Sequence, residues 1–376
     1  MNILAMNNTV FYEEDSGLYV YKETGKFFTE LKELGNEIHL FQISERMVET
    51  NTFANYNLQG KGLRITNIRR GSSKLLSFVK AFFHGISAVI KADVIYVFYP
   101  GPICAFIALC ALIGGKKYGL YIRGEQGITN LLSKVLYKNA EILLTVSPRF
   151  TDEIGKNGAK AFTIRPMIRF DENDIDYNRQ YIKRDNFKLL FVGRIVWDKG
   201  IFEMVQGLKS LSNTGQDNWT MDIIGDGPDL ERLKKEVIGI GLDNKVTFQG
   251  NVSEKDLIKN FYKKADLFLL PSHHEGFPRV LYEAMIFGVP IVTTFVGAIS
   301  TLMEDGINCH KINVKDQDGI TQKVGDILKN YSEKALVAVE ATKTIKNYLS
   351  DKKDSHAVQL HKLLHKVENK TFKRQK

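Results

Sequence analysis

The sequence predicts an α/β fold, two Rossmann-like doubly wound parallel-sheet domains facing across a cleft, on the strength of three observations. The chain has 376 residues, more than one hydrophobic core ordinarily serves. Apolar β-rich runs alternate with helical ones throughout, the pattern of parallel sheets covered by helices. A polar stretch without hydrophobic period, FDENDIDYNRQYIKRD from Phe170 to Asp185, splits that alternation into two series.

In the first series the strands are expected at Ile3 to Met6, Glu37 to Ile43, Leu63 to Ile68, Asp93 to Tyr99, Lys117 to Ile122, Ile142 to Val146 and Ala161 to Ile164. The second series places them near Lys188 to Val192, Met221 to Ile224, Val246 to Phe248, Leu267 to Leu270, Ile291 to Thr294 and His310 to Ile312. The resulting division is a first domain over 1–168, a linker over 169–186, a second domain over 187–350 and a basic helix or tail over 351–376. From Val94 to Gly115, 22 residues carry no charge, about the length that crosses a bilayer. Pro100 and Pro102 cut this run, so it reads as a buried strand followed by a buried helix.

Composition narrows the function classes. Hydrophobic residues at 44% with only 8 prolines exclude a disordered or collagenous chain. Cys104, Cys110 and Cys309 make neither a disulfide framework nor a zinc pattern, and the opening MNILAMNNTV lacks the features of a signal peptide. A cytoplasmic protein is expected. The formal charge of +9 is concentrated: Lys61 to Ala92 holds seven Lys/Arg and no acid, and His361 to Lys376 holds six against Glu368. Such patches attract polyanions. Leu75, Leu76, Phe78, Val79, Phe82 and Phe83, interleaved with the first patch, favour an anionic membrane surface, whereas the tail reads equally as a solvated face. No helix-turn-helix, zinc or aromatic RNA signature supports a nucleic-acid partner.

Ligands of open α/β sheets sit beyond the carboxyl ends of the strands, which directs attention to three loops. In KLLFVGRIVWDKG a strand ends at Gly193 and offers Arg194, then Lys199 at a helix start, a pairing suited to a diphosphate but equally to ordinary surface cations. In IIGDGPDLERL, Gly225 and Gly227 make a tight turn; Leu230 stands where a dinucleotide fingerprint requires its third glycine, so NAD binding is unsupported. In LFLLPSHHEGFPRVLYEAMIFGVPIVTT, Glu275 falls in a loop and Glu283 in the following helix, whose first turn tolerates Pro278. Both carboxylates can face one ligand there, Glu283 suiting paired ribose hydroxyls and Glu275 a sugar hydroxyl. The adjacent His273 and His274 point to opposite sides in an extended segment and make a poor shared metal site.

Arg194 and Lys199 after a VG turn, Gly225 and Gly227, and EGFPxxxxE followed by AMxxGVPIV together resemble the retaining nucleotide-sugar glycosyltransferases of the GT-B fold, the group 1 or family-four class. The resemblance is close over Lys188 to Val314. Over the first half it is weaker and rests on Gly17, the ELGNEIHLF run and TVSPRF from Thr145. It implies a donor held mainly by the second domain and an acceptor held mainly by the first. By the same carry-over Gly193, Arg194 and Lys199 meet the donor diphosphate and Glu283 the ribose. Glu275 with Gly276, Phe277 and Pro278 meets the transferred sugar, while Gly17 lets the first loop approach the phosphates. Many members place a histidine where this chain has Arg123, Gly124 and Glu125. Arg123 orients the acceptor, binds phosphate or pairs with Glu125; as a guanidinium it cannot be a general base. Glu125 remains an outside candidate for that role.

The resemblance therefore implies an enzyme that moves a hexose from a UDP- or GDP-sugar to an acceptor hydroxyl with retention, with Arg194, Lys199, Glu275 and Arg123 as catalytic candidates. No metal or other cofactor is expected, because Arg194, Lys199 and a helix end take the part of a divalent cation. The nearest Asp-x-Asp, Asp174 to Asp176, lies in the polar stretch. The expected setting is surface polysaccharide assembly (capsule, O-antigen or exopolysaccharide) on a sugar or lipid-linked acceptor at the inner face of the plasma membrane. A GT-B epimerase or phosphorylase and a non-catalytic nucleotide-sugar-binding subunit are the alternatives.

Overall fold

A computed structural model of the chain describes residues 1–47, 54–71, 74–123, 130–164, 167–276, 278–351 and 354–374. The chain divides into two compact units, Met1–Met167 together with Asp354–Lys376, and Ile168–Lys353.

The first unit holds β1 (Asn2–Met6), β2 (Phe11–Glu14), β3 (Gly17–Val20), β4 (Glu37–Arg46), β5 (Tyr56–Asn57), β6 (Arg64–Arg69), β7 (Val94–Tyr99), β8 (Lys117–Ile122), β9 (Ile142–Thr145) and β10 (Phe162–Thr163). Its parallel sheet runs β6-β4-β1-β7-β8-β9-β10, the doubly wound order. The uncharged run resolves as expected into β7, buried along its whole length, and a helix Pro102–Ile113 that starts on its proline. Among the described residues no helix is long and apolar enough to cross a membrane.

The sequence reading did not foresee a hairpin. β2 and β3 pair antiparallel around Asp15 and Ser16, with Tyr12 opposite Tyr19, and β2 extends the end of β4. Gly17 thus begins the second arm of a hairpin and does not stand in a simple loop after β1. Its φ of +144°, which side chains rarely adopt, favours glycine there, and the Asn57 amide fills the space a Cβ would take. β2 and β4 also bring acids to the basic patch: Arg69 lies 3.9 Å from Glu13, and Arg70 pairs with Glu45. That patch is less uniformly positive in the fold than in the sequence.

The second unit holds β11 (Phe187–Val192), β12 (Trp219–Ile224), β13 (Val246–Gly250), β14 (Leu267–Leu270), β15 (Ile291–Thr294) and β16 (His310–Ile312), all parallel in the order β13-β12-β11-β14-β15-β16. The direction of strand succession reverses between β11 and β14. The loops after these two strands therefore part at the switch point, where such sheets leave a crevice.

Two segments lie elsewhere than composition implied. Residues 169–186, read as a linker, pack onto the second unit. Phe170 and Ile175 enter its core, and the Arg179 guanidinium donates to the carbonyls of Tyr262, Ala265 and Phe287. Asp174 is 2.7 Å from both Lys255 and Lys259. Burial raises its pKa, but the two ammonium groups outweigh that and hold the carboxyl below its usual range. The basic tail, beyond residue 353, belongs to the first unit. There the helix His356–Arg374 buries Ala357, Leu360 and Leu364. His356 sits among Phe27, Tyr96, Phe98 and Tyr121, its Nε2 2.6 Å from the Tyr96 hydroxyl. Burial, with the Arg123 guanidinium adding to it, holds this imidazole well below its ordinary pKa.

Candidate active site

Arg194 and Lys199 stand on the loop after β11, and Glu275, Gly276 and Pro278 on the loop after β14. They occupy the two sides of the switch point. The Lys199 ammonium lies 2.7 Å from Glu275 Oε1, and the Ser272 hydroxyl donates to the same oxygen at 2.8 Å. Glu275 is only 8% exposed, so its charge is matched by a cation and a hydroxyl at close range, as a buried carboxylate needs. Arg194 is exposed and makes no ion pair among the described residues.

Both loops are braced from behind. The Thr294 hydroxyl donates to the Ser272 carbonyl at 2.6 Å, and the amide of His273 donates to the Asp198 carbonyl at 2.7 Å. Gly297, with φ of +59°, backs so closely onto Glu275 that a Cβ would lie 1.7 Å from the Glu275 carbonyl oxygen. The Gly225–Gly227 turn supports the β11 loop in the same manner. A Cβ at Gly225 would fall 1.8 Å from the Gly193 carbonyl, and the Ile195 amide donates to the Asp226 carbonyl at 2.9 Å. These glycines serve loop-to-loop approach, in keeping with a structural turn. Such bracing fixes loop geometry without a ligand, as a preorganised site requires.

Glu283 lies in the helix Arg279–Ile286, with Pro278 as its N-cap residue. It is 6% exposed, and the Tyr262 hydroxyl donates to its Oε2 at 3.0 Å. Tyr262 is fully enclosed, stacked on Phe287 at 5.5 Å and edge-on to Phe170 at 6.4 Å. Burial and the facing carboxylate push its phenol well above the usual range, so it acts as a donor. Sequence reasoning missed Tyr262. The i, i+4 spacing of Ile258 and Tyr262 on the helix Lys255–Lys264 marks its inward face, but only the fold shows which acid it meets.

His273 lies with its Nε2 3.2 Å from Glu203 Oε1 and its ring 5.5 Å from Trp197, away from any shared site with the exposed His274. His310 is buried beside the Lys334 carbonyl, 2.9 Å away. In the first unit Arg123 follows β8. Its guanidinium donates to Asn7 Oδ1 at 3.3 Å and lies 5.5 Å from the Phe98 ring centre. Asn7, just past β1, is a neighbour the sequence reading did not name. Phe277, Gly124 and Glu125 lie outside the described residues.

Residues 173–345 match the family Glycosyl transferases group 1. An uncharacterized glycosyltransferase of Methanocaldococcus jannaschii is 26% identical over 245 residues, covering 61% of this chain and 62% of that protein. The chain thus spans somewhat under two thirds of that relative's length. The capsular polysaccharide biosynthesis glycosyltransferase CapM of Staphylococcus aureus is 28% identical over 269 residues, covering 66% and 70% of the two chains. The crystal structure of Anabaena HepE in complex with UDP-glucose aligns with a TM-score of 0.68 at 17% identity, over 98% of this chain and 100% of that one. At this identity the structural likeness speaks for the fold, which is GT-B. Residues 173–345 are thus a group 1 glycosyl transferase segment, carried on a chain with the GT-B fold.

Proposed function

We propose that the protein is a retaining glycosyltransferase that moves a hexose from a nucleotide-sugar donor to an acceptor hydroxyl. The observation that carries this reading is the Lys199–Glu275 pair at the switch point, with Glu283 held by Tyr262 eight residues further on. Lys199 and the exposed Arg194 neutralise the donor diphosphate as it departs. Glu283 accepts from the ribose hydroxyls, and Glu275 orients both Lys199 and the sugar. Gly193, Gly276 and Pro278 line the donor, and Arg123 orients the acceptor. In the chemical step the bond from the anomeric carbon to the diphosphate oxygen breaks, and its electron pair leaves with the phosphate. The acceptor oxygen bonds that carbon on the same face, and its proton passes to the departing phosphate oxygen.

HepE was crystallised with UDP-glucose, which favours a UDP-sugar as the first donor to test. The likeness to CapM favours surface polysaccharide assembly, and the basic, apolar-studded segment around Lys80 favours a lipid-linked acceptor with the protein working peripherally at the membrane. Thermal unfolding with UDP-, GDP- and ADP-sugars tests the donor class, because a ligand of the folded state alone raises the melting temperature. The anomeric configuration of the product, read by NMR, tests retention. No shift with any sugar nucleotide overturns the donor assignment, and an inverted product overturns the mechanism.

A further inference from the structure

The helices Lys74–Lys91, Pro102–Ile113 and Leu131–Asn139 connect β6, β7, β8 and β9 in succession. Right-handed crossovers in one direction place all three on one face of the sheet, and each packs on the next. Their outer side is unusually apolar. Phe83 is 67% exposed, Ile90 64% and Leu131 80%, with Val79, Phe82 and Val135 also open to solvent. Phe82 stacks on Phe106 at 4.6 Å, so the aromatic surface continues from the first helix onto the second. The sequences of the three helices contain no Asp or Glu, whereas Lys80, Lys91 and Lys138 are exposed among the apolar groups.

Large exposed apolar side chains in one patch mark an interaction surface, and the charge identifies its partner. A soluble protein surface ordinarily mixes both signs. Lysines on helices that carry no carboxylate of their own, with Asp93 and Glu141 only beyond the helix ends, around aromatic and aliphatic side chains, complement a layer of anionic headgroups over hydrocarbon. We infer that this three-helix face of the first unit docks on an anionic lipid surface, reaching well beyond the segment whose sequence first pointed to a membrane. The inference deepens the reading of a lipid-linked acceptor by giving the membrane a defined seat, and lipid contact can be measured without donor or acceptor.

The test uses the full chain with vesicles of phosphatidylcholine alone and of phosphatidylcholine mixed with phosphatidylglycerol. Binding is expected to the mixed vesicles only and to weaken as salt rises. The double variant Phe83→Ser/Leu131→Ser changes two exposed side chains, so the fold is retained, and it lowers partitioning at least about tenfold. Lys80→Glu lowers it about fivefold or more at low salt. In both variants the melting temperature and the response to sugar nucleotides stay as in the wild type, which separates this inference from the donor assignment. Absence of wild-type binding to mixed vesicles overturns the inference, as does undiminished binding by the double variant. A vesicle-free dimer that the double variant dissolves overturns it too, by assigning the face to a second copy of the chain.

Discussion

The two units share a doubly wound parallel sheet and differ in how they hold polar groups at its carboxyl edge. In the second unit the candidate carboxylates are enclosed and matched: Glu275 by Lys199 and Ser272, Glu283 by Tyr262. Glycines wedge the supporting loops together. In the first unit Arg123 is tied through Asn7 to the end of β1, across the intervening β7, and Gly17 is occupied in a hairpin. The difference teaches a division of labour. A site that must recognise one fixed chemical group, such as a diphosphate, gains from preorganisation. Under the proposed function the donor falls to the enclosed second-unit groups and the acceptor to the first unit.

The largest expected effect lies in the second unit. Lys199→Met is predicted to cut turnover about 10²-fold or more, the scale of losing one preorganised charge partner of a leaving group, with little change in acceptor KM. Steady-state release of nucleoside diphosphate reads it, and an unchanged rate removes Lys199 from the chemistry. Glu283→Ala comes next, with donor affinity weakened about tenfold or more by calorimetry; wild-type affinity would sever the ribose contact. Tyr262→Phe removes one hydrogen bond to a charged acceptor and sharpens the comparison. Donor Kd is predicted to rise about fivefold while kcat holds within about twofold, because the residue positions Glu283 and touches no substrate. Arg123→Ala should do the reverse: acceptor KM rises a few-fold, and donor hydrolysis by water is spared. A loss of donor affinity in that variant breaks the division between the units.

The smallest predicted effect concerns pH. In the unfolded chain His356 titrates near about 6.5, whereas in the fold it stays neutral to a lower pH. Below that value the unfolded form binds the additional proton. Stability is therefore full above it and lost as pH falls toward the folded pKa, by at most about 1.4 kcal/mol per pH unit. Denaturant unfolding of wild type and His356→Phe between neutral and mildly acidic pH checks this, the variant showing the shallower slope.

Much of this was legible in the sequence, for physical reasons. Buried parallel strands are continuous apolar runs, so β8, β14, β15 and β16 stand where periodicity placed them and most others within a residue or two. Glu275 and Glu283 stood out because they lie eight residues apart in one short stretch that runs from a strand into a helix. Partnerships closed across the fold were not. Nothing near Glu283 in the chain names Tyr262, and nothing near Arg123 names Asn7. The polar text of 169–186 hid the few residues that anchor it, chiefly Phe170 and Arg179, because a composition average cannot weigh one aromatic ring or one guanidinium. The β2–β3 hairpin carried a two-residue turn signal at Asp15 and Ser16, overlooked beside the expectation of parallel strands alone.

His356, Ala357, Leu360 and Leu364 belong to a unit whose other residues end at Met167. During synthesis the ribosome must deliver all of the second unit before they emerge. The earlier-made sheet then waits with Phe27, Tyr96 and Tyr121 uncovered, a sticky nascent state suited to a chaperone, while the later-made unit is free to mature first. A gene fragment that stops at residue 167 should accordingly give an aggregating product, whereas one encoding 168–353 carries its whole core within itself.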